Sequence, residues 1–248
     1  MKRTKLVVWS LVTVAASSLI APQAFAGENG DTVRSVVDIE YITNTNVTKP
    51  TDPTAPGNEI KPNPENPGTG NSGPLSLDYV SKITFGQQKS NGNAAIYYAI
   101  NDVVINKDDS KKVVPNYLQV TDNRGNNAGW ILSVKQDGQL KNTTSNARLG
   151  SAELSLLNST VNSANTTVTA PTPMKSVVLK LDATGAGVNS TVVTAVEGTG
   201  SGTWTSMFGT TVEEGMKSIQ LSVPAGTKVE KGAYTTSLVW TLSTDAGQ

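Results

Sequence analysis

The sequence predicts an all-β protein: an antiparallel β-sandwich-like single domain, preceded by an N-terminal strand and a Pro-rich arm. Three observations carry this expectation. From Leu75 onward, short runs rich in Val, Ile, Thr, Tyr and Leu alternate with clusters of Asn, Gly, Ser and Asp. Within the runs, apolar residues recur at every second position, so Val177, Leu179 and Leu181 share one face, as do Ile219, Leu221 and Val223. No segment carries a sustained apolar stripe at helical spacing.

The chain opens with Lys2, Arg3 and Lys5, then a nearly uncharged apolar run to Ile20, then Ala24-Phe25-Ala26. This is the pattern of a secretory leader cut after Ala26, so residues 1–26 are set apart from the fold. As a membrane anchor the run is short, and Pro22 and Gln23 end it. Residues 27–48 form an N-terminal β segment around a β-prone run at 33–42. Residues 49–74 are rich in Pro, which blocks both helix and central strand. That linker should be extended at roughly 3 Å per residue, and it reads equally well as a spacer, a crossing arm or a disordered tether.

Residues 75–248 form the β domain. Strands are expected at 77–84, 94–105, 117–121, 129–136, 152–157, 176–181, 188–196, 218–223 and 233–242. Residues 121–127 contain enough oxygen donors to suggest a calcium loop, but lack the spacing and the closing Glu. They read better as a hairpin turn feeding the next strand. Residues 108–112 read as a solvated loop. The Gly-rich stretch 200–204 lacks the Lys-Ser/Thr ending of a phosphate loop, and reads as a loop or strand edge carrying Trp204.

Composition excludes whole classes of chemistry. The chain has no Cys and no His. Serine nucleophiles then lack their usual base, and zinc lacks its usual ligands. Glu213 and Glu214 are adjacent, so on a strand they point to opposite faces and make a poor glycosidase pair. No enzymatic activity, cofactor or metal is expected. Basic and acidic residues balance at 20 each, no basic stripe exists, and nucleic acid is not an expected partner. No second apolar run is long enough to span a bilayer. The C-terminal residues show no hydrophobic tail, basic stop or sortase signal, and no Cys follows the leader. Any hold on a cell surface should therefore be non-covalent. An exported chain without Cys suits a Gram-positive bacterium.

Two strands stand out. In 129–134, Trp130, Leu132 and Val134 share one face; in 234–242, Tyr234, Thr236, Leu238, Trp240 and Leu242 do. Each presents a large apolar ridge. The ridges suit either the inner layer of a β core or an exposed platform for sugar rings or a partner. Aggregation of so large a solvated patch favours the core.

With a proximal Trp130-x-Leu132 and a distal Tyr234…Leu238-x-Trp240-x-Leu242, the chain resembles the WxL domain of Gram-positive surface proteins. The resemblance extends through 73–80, Ile83-Thr84-Phe85-Gly86, 119–125, 130–136 and Gly202-Thr203-Trp204, in the expected order. Val239 departs from the family's usual Thr, and no Pro follows Leu242. The resemblance implies secretion and non-covalent attachment to the cell wall, with peptidoglycan as ligand. It names Trp130, Leu132, Tyr234, Leu238, Trp240 and Leu242, with Trp204 beside them, as wall-binding motif residues that could equally be core. It also implies partners: other WxL-type and membrane-anchored surface proteins, or host extracellular matrix. In the last two roles the protein would be a structural or adhesive subunit of a surface complex.

Overall fold

The computed structural model describes residues 34–244. The leader assignment and the extreme C-terminus lie outside these residues. The chain divides into two units, Met1–Ile42 and Thr43–Gln248. In the first, residues 34–42 form no strand and are exposed throughout. The expected N-terminal strand is thus absent from this segment. An isolated strand has no ladder to satisfy its backbone, so β propensity alone does not fold it.

The second unit is all β, apart from one helical turn, and every strand pairing among the described residues is antiparallel. Three four-stranded sheets dominate. The first runs Ser159–Asn162, Gly202–Phe208, Tyr117–Asp122, Leu75–Val80. The second runs Thr172–Pro173, Ser190–Ala195, Trp130–Gln136, Leu238–Ser243. The third runs Ser176–Leu179, Glu153–Leu157, Ile219–Val223, Ala95–Tyr98. One core joins all three: Leu118, Val120, Trp204 and Phe208 from the first, Trp130, Leu132, Val134 and Val193 from the second, Leu154, Leu156, Val177 and Ile219 from the third. Each buried aliphatic side chain removes enough area from water to stabilise the fold by about 1.5–3 kcal/mol.

The first sheet is buried on both faces. Its central strand, Tyr117–Asp122, has no exposed residue. Leu118 and Val120 face the main core, while Tyr117, Gln119 and Thr121 face the other way. That second face is covered by the Pro-rich arm and by a hairpin of Asp102–Ile105 with Lys111–Val114. The expected 49–74 linker is therefore no free spacer. Thr51–Asp52 and Ala55–Glu59 pair with each other, and Pro56 is tolerated because it sits in a short edge strand. Ile60 packs with Tyr79, Val104, Val114, Tyr117 and Met207, and the Tyr79 and Tyr117 rings stack at 4.5 Å.

Polar groups fasten the arm. The Gln119 side-chain carbonyl accepts from the Thr51 backbone N–H at 2.8 Å and the Thr51 hydroxyl at 3.0 Å. Its amide donates to the Lys49 carbonyl and to Asp78 Oδ2. Asp78 also accepts from Ser76 and Thr121. Burial pushes the Asp78 carboxyl above its ordinary range despite these bonds. Lys112 Nζ lies 2.6 Å from Asp52 Oδ2. Burial alone would raise Asp52; the bonds from Lys112 and Thr54 outweigh it and hold the carboxyl below its ordinary value.

Other sequence expectations shift in detail. The 94–105 run breaks at Ala99–Asn101 into two strands that join different sheets. Residues 121–127 are not a hairpin turn: they carry the chain from the first sheet to the second. Asp122 and Arg124 clamp this arch by a bidentate pair at 2.9 and 2.8 Å, and Arg124 also donates to the Gly129 carbonyl. Residues 111 and 112 belong to a strand rather than a loop. Glu213 and Glu214 lie in the one-turn helix Val212–Gly215, capped by Thr211, and not on a strand.

Two outcomes are expected. Arg124→Ala strands the Asp122 carboxylate, which is 3% exposed, and should cost about 3–5 kcal/mol in urea denaturation. Lys112→Met should weaken the fold at neutral pH. Because Asp52 is depressed in the folded state, its contribution is fully present above its ordinary value of 3.8 and is lost as pH falls through the lower folded value. The gap in urea midpoint between the two proteins should therefore close in acid.

Candidate functional site

The two ridges read from the sequence are neighbours in one sheet. Leu238–Ser243 pairs with Trp130–Gln136, placing Trp240 opposite Val134 and Leu242 opposite Leu132. Cross-strand pairs share a face, and this face is the inner one. Trp130 is 1% exposed and Leu132 is fully buried. Leu238, Trp240 and Leu242 are half-buried and pack against the same core.

The tryptophans occupy different roles. Trp130 donates its indole N–H to the Gly200 carbonyl at 3.0 Å. Trp204, also buried, donates to the next carbonyl, Ser201, at 2.9 Å. The Gly-rich stretch that superficially suggested a phosphate loop is thus a cradle for two indoles. Glycine is required there: Gly200 has φ of +73°, and a Cβ would sit 2.5 Å from the Ala195 Cβ and 2.9 Å from the Trp130 ring nitrogen. Gly129 meets the same constraint one residue before Trp130, with the Ala195 carbonyl oxygen 2.2 Å from a Cβ. Trp240 sits on the last strand of its sheet, and its indole N–H finds no protein acceptor among the described residues.

Tyr234 is separate from this group. It lies on a two-residue strand paired with Lys141–Asn142 and packs against a satellite cluster of Leu140, Leu149, Ala152, Leu221 and Val223. Its hydroxyl accepts from the Glu230 backbone N–H at 2.9 Å, closing the preceding loop. The structure therefore brings Trp130, Leu132, Leu238, Trp240 and Leu242 together on one sheet, with Trp204 across the core, and leaves Tyr234 apart.

A surface missed in the sequence lies on the third sheet. Ile96 and Tyr98 point outward from its edge strand, and Ile100 follows; they are 53%, 42% and 55% exposed. Gln220 stands across the sheet from Tyr98. The run from Ala94 to Ile100 is apolar on both faces, so alternation could not say which side faced water. Tyr97 and Ala99 take the inner positions. Among the described residues, no group of three or more His, Cys, Asp or Glu converges to hold a metal, and no helix is long and apolar enough to cross a membrane.

An all-β domain whose tryptophans key its sheets together is the class this architecture defines. The chain belongs to the WxL domain family. That family's model, described as a WxL domain, surface cell wall-binding, matches residues 28–245. The protein is accordingly a cell-surface domain that binds the cell wall. No curated protein and no solved structure matches the chain.

Truncating the two motif tryptophans should separate their roles. Trp130→Ala removes a fully buried ring and should cost about 3–5 kcal/mol in urea denaturation. Trp240→Ala, on a half-buried edge position, should cost clearly less. Gly200→Ala should destabilise by about 1–3 kcal/mol through overpacking against Trp130, with a change in near-ultraviolet circular dichroism from the displaced indole.

Proposed function

We propose that the protein is exported by its leader and held on the wall non-covalently by peptidoglycan, as a binding domain rather than an enzyme. The observation that supports this most directly is the family match across the whole described fold. The geometry supports a contact away from the enclosed motif residues. Trp130, Leu132 and Trp204 are spent on the core, which favours other residues for a glycan. The Ile96–Tyr98–Ile100 stripe supplies an exposed ring between two aliphatic side chains. Gln220 beside it donates to the Lys217 carbonyl at 3.1 Å, which leaves its own carbonyl oxygen to accept from a sugar hydroxyl or N-acetyl N–H. Exposed apolar groups rimmed by polar ones are the usual mark of a binding surface.

A second reading, a structural subunit docking on other WxL-type or membrane-anchored surface proteins, draws on the edge of the Leu238–Ser243 strand, which has no strand partner on one side among the described residues.

Co-sedimentation with purified, teichoic-acid-free peptidoglycan tests the first reading. The wild-type protein should pellet, with no reducing ends released from the glycan. Tyr98→Ser should weaken binding by about tenfold, roughly 1.4 kcal/mol, at an unchanged urea midpoint. Wild-type protein left in the supernatant would sink the proposal.

A further inference from the structure

The strand at which the second sheet ends is unguarded. Leu238–Ser243 pairs with Trp130–Gln136 on one side, and no strand follows on the other among the described residues. Sheet edges are normally blunted by Pro, by charged side chains or by cover. Two other edges in this fold are so blunted: Thr172–Pro173 carries its proline, and Leu75–Val80 receives bonds from Thr69 and Asn71. Leu238–Ser243 has six residues, no charge and no proline. Its inner-face side chains, Leu238, Trp240 and Leu242, are only half-buried.

The same chain carries a β-prone run that belongs to no sheet. Over residues 34–42, Val37, Ile39 and Tyr41 occupy alternate positions and are 92%, 75% and 87% exposed. Asp38 and Glu40 fall on the opposite face, flanked by Val36 and Ile42. Nine residues suffice to cover a six-residue edge. With Val37, Ile39 and Tyr41 facing inward, the run would extend the apolar layer past Trp240. Asp38 and Glu40 would then join the outer face, where Lys135, opposite Val239, is the charged side chain of strands Ser190–Ala195, Trp130–Gln136 and Leu238–Ser243.

We propose that residues 34–42 of one copy add as a strand to the free Leu238–Ser243 edge of a second copy. Each copy carries one donor and one acceptor, so the contact is heterologous and propagates head to tail into linear assemblies.

The absence of cysteine makes cross-linking a clean test on the exported chain. Asp38→Cys and Thr241→Cys place single thiols at exposed positions in donor and edge. An equimolar mixture under mild oxidation should form the mixed disulfide about tenfold faster than Asp38→Cys with Thr184→Cys, an exposed turn away from the edge, because pairing raises local concentration. The double variant should give a ladder of multimers. In sedimentation velocity, the wild-type weight-average mass should rise with concentration. Ile39→Pro, which removes a donor N–H at a position outside the folded unit, should abolish that rise. Equal cross-linking rates for both pairs, closure of the double variant within single chains only, or a concentration-dependent mass unaffected by Ile39→Pro would each overturn the proposal.

Discussion

The fold depends on the seat of the Trp130 indole. Three sheets converge on one core, and Trp130 is the largest side chain wholly enclosed there. A buried indole must find an acceptor or lose a hydrogen bond's worth of stability. The Gly200 carbonyl supplies it, and two glycines, 129 and 200, allow the backbone to come close enough. Trp204 uses the adjacent carbonyl. One short loop therefore satisfies two rings from two different sheets and fixes how those sheets meet.

A second constraint acts on the other side of the first sheet. Its central strand is buried on both faces, so Gln119, Thr121 and Asp78 lie beneath cover and need partners. Thr121 and Gln119 donate to Asp78, the arm supplies the remaining partners of Gln119 through Thr51 and Lys49, and the Asp52–Lys112 pair closes its margin. The composition that makes this segment look like a tether is compatible with such a role. An arm at a sheet edge can lie extended and hydrogen-bond through its carbonyls even where proline withholds a donor.

These two constraints redistribute function over the surface. The motif that marks the family is mostly structural: its proximal half is enclosed, and its distal half lines the inner face of an edge strand. Among the described residues, what remains open is the outward stripe around Tyr98 and the unpaired edge of Leu238–Ser243. The first suits a glycan, the second a polypeptide, and the two lie on different sheets. The proposed glycan contact and the proposed strand contact thus fall on different sheets.

By itself, the sequence determined the β class, the face alternation of most major strands, and the pairing of Trp130 with Leu132 and of Trp240 with Leu242 on common faces. These are local consequences of period-two patterning and turn chemistry. It also carried the ordered motifs that identify the family. Only the tertiary structure decided that the two motif strands are direct neighbours, that the Gly-rich loop holds indoles, and that the Pro-rich arm is part of the domain. The strand Gly202–Phe208 and the outward side of Ile96 and Tyr98 were likewise invisible, because both strands are apolar or small on each face. Burial on two faces erases alternation, and long-range partners such as Gln119 and Thr51 leave no trace in local spacing.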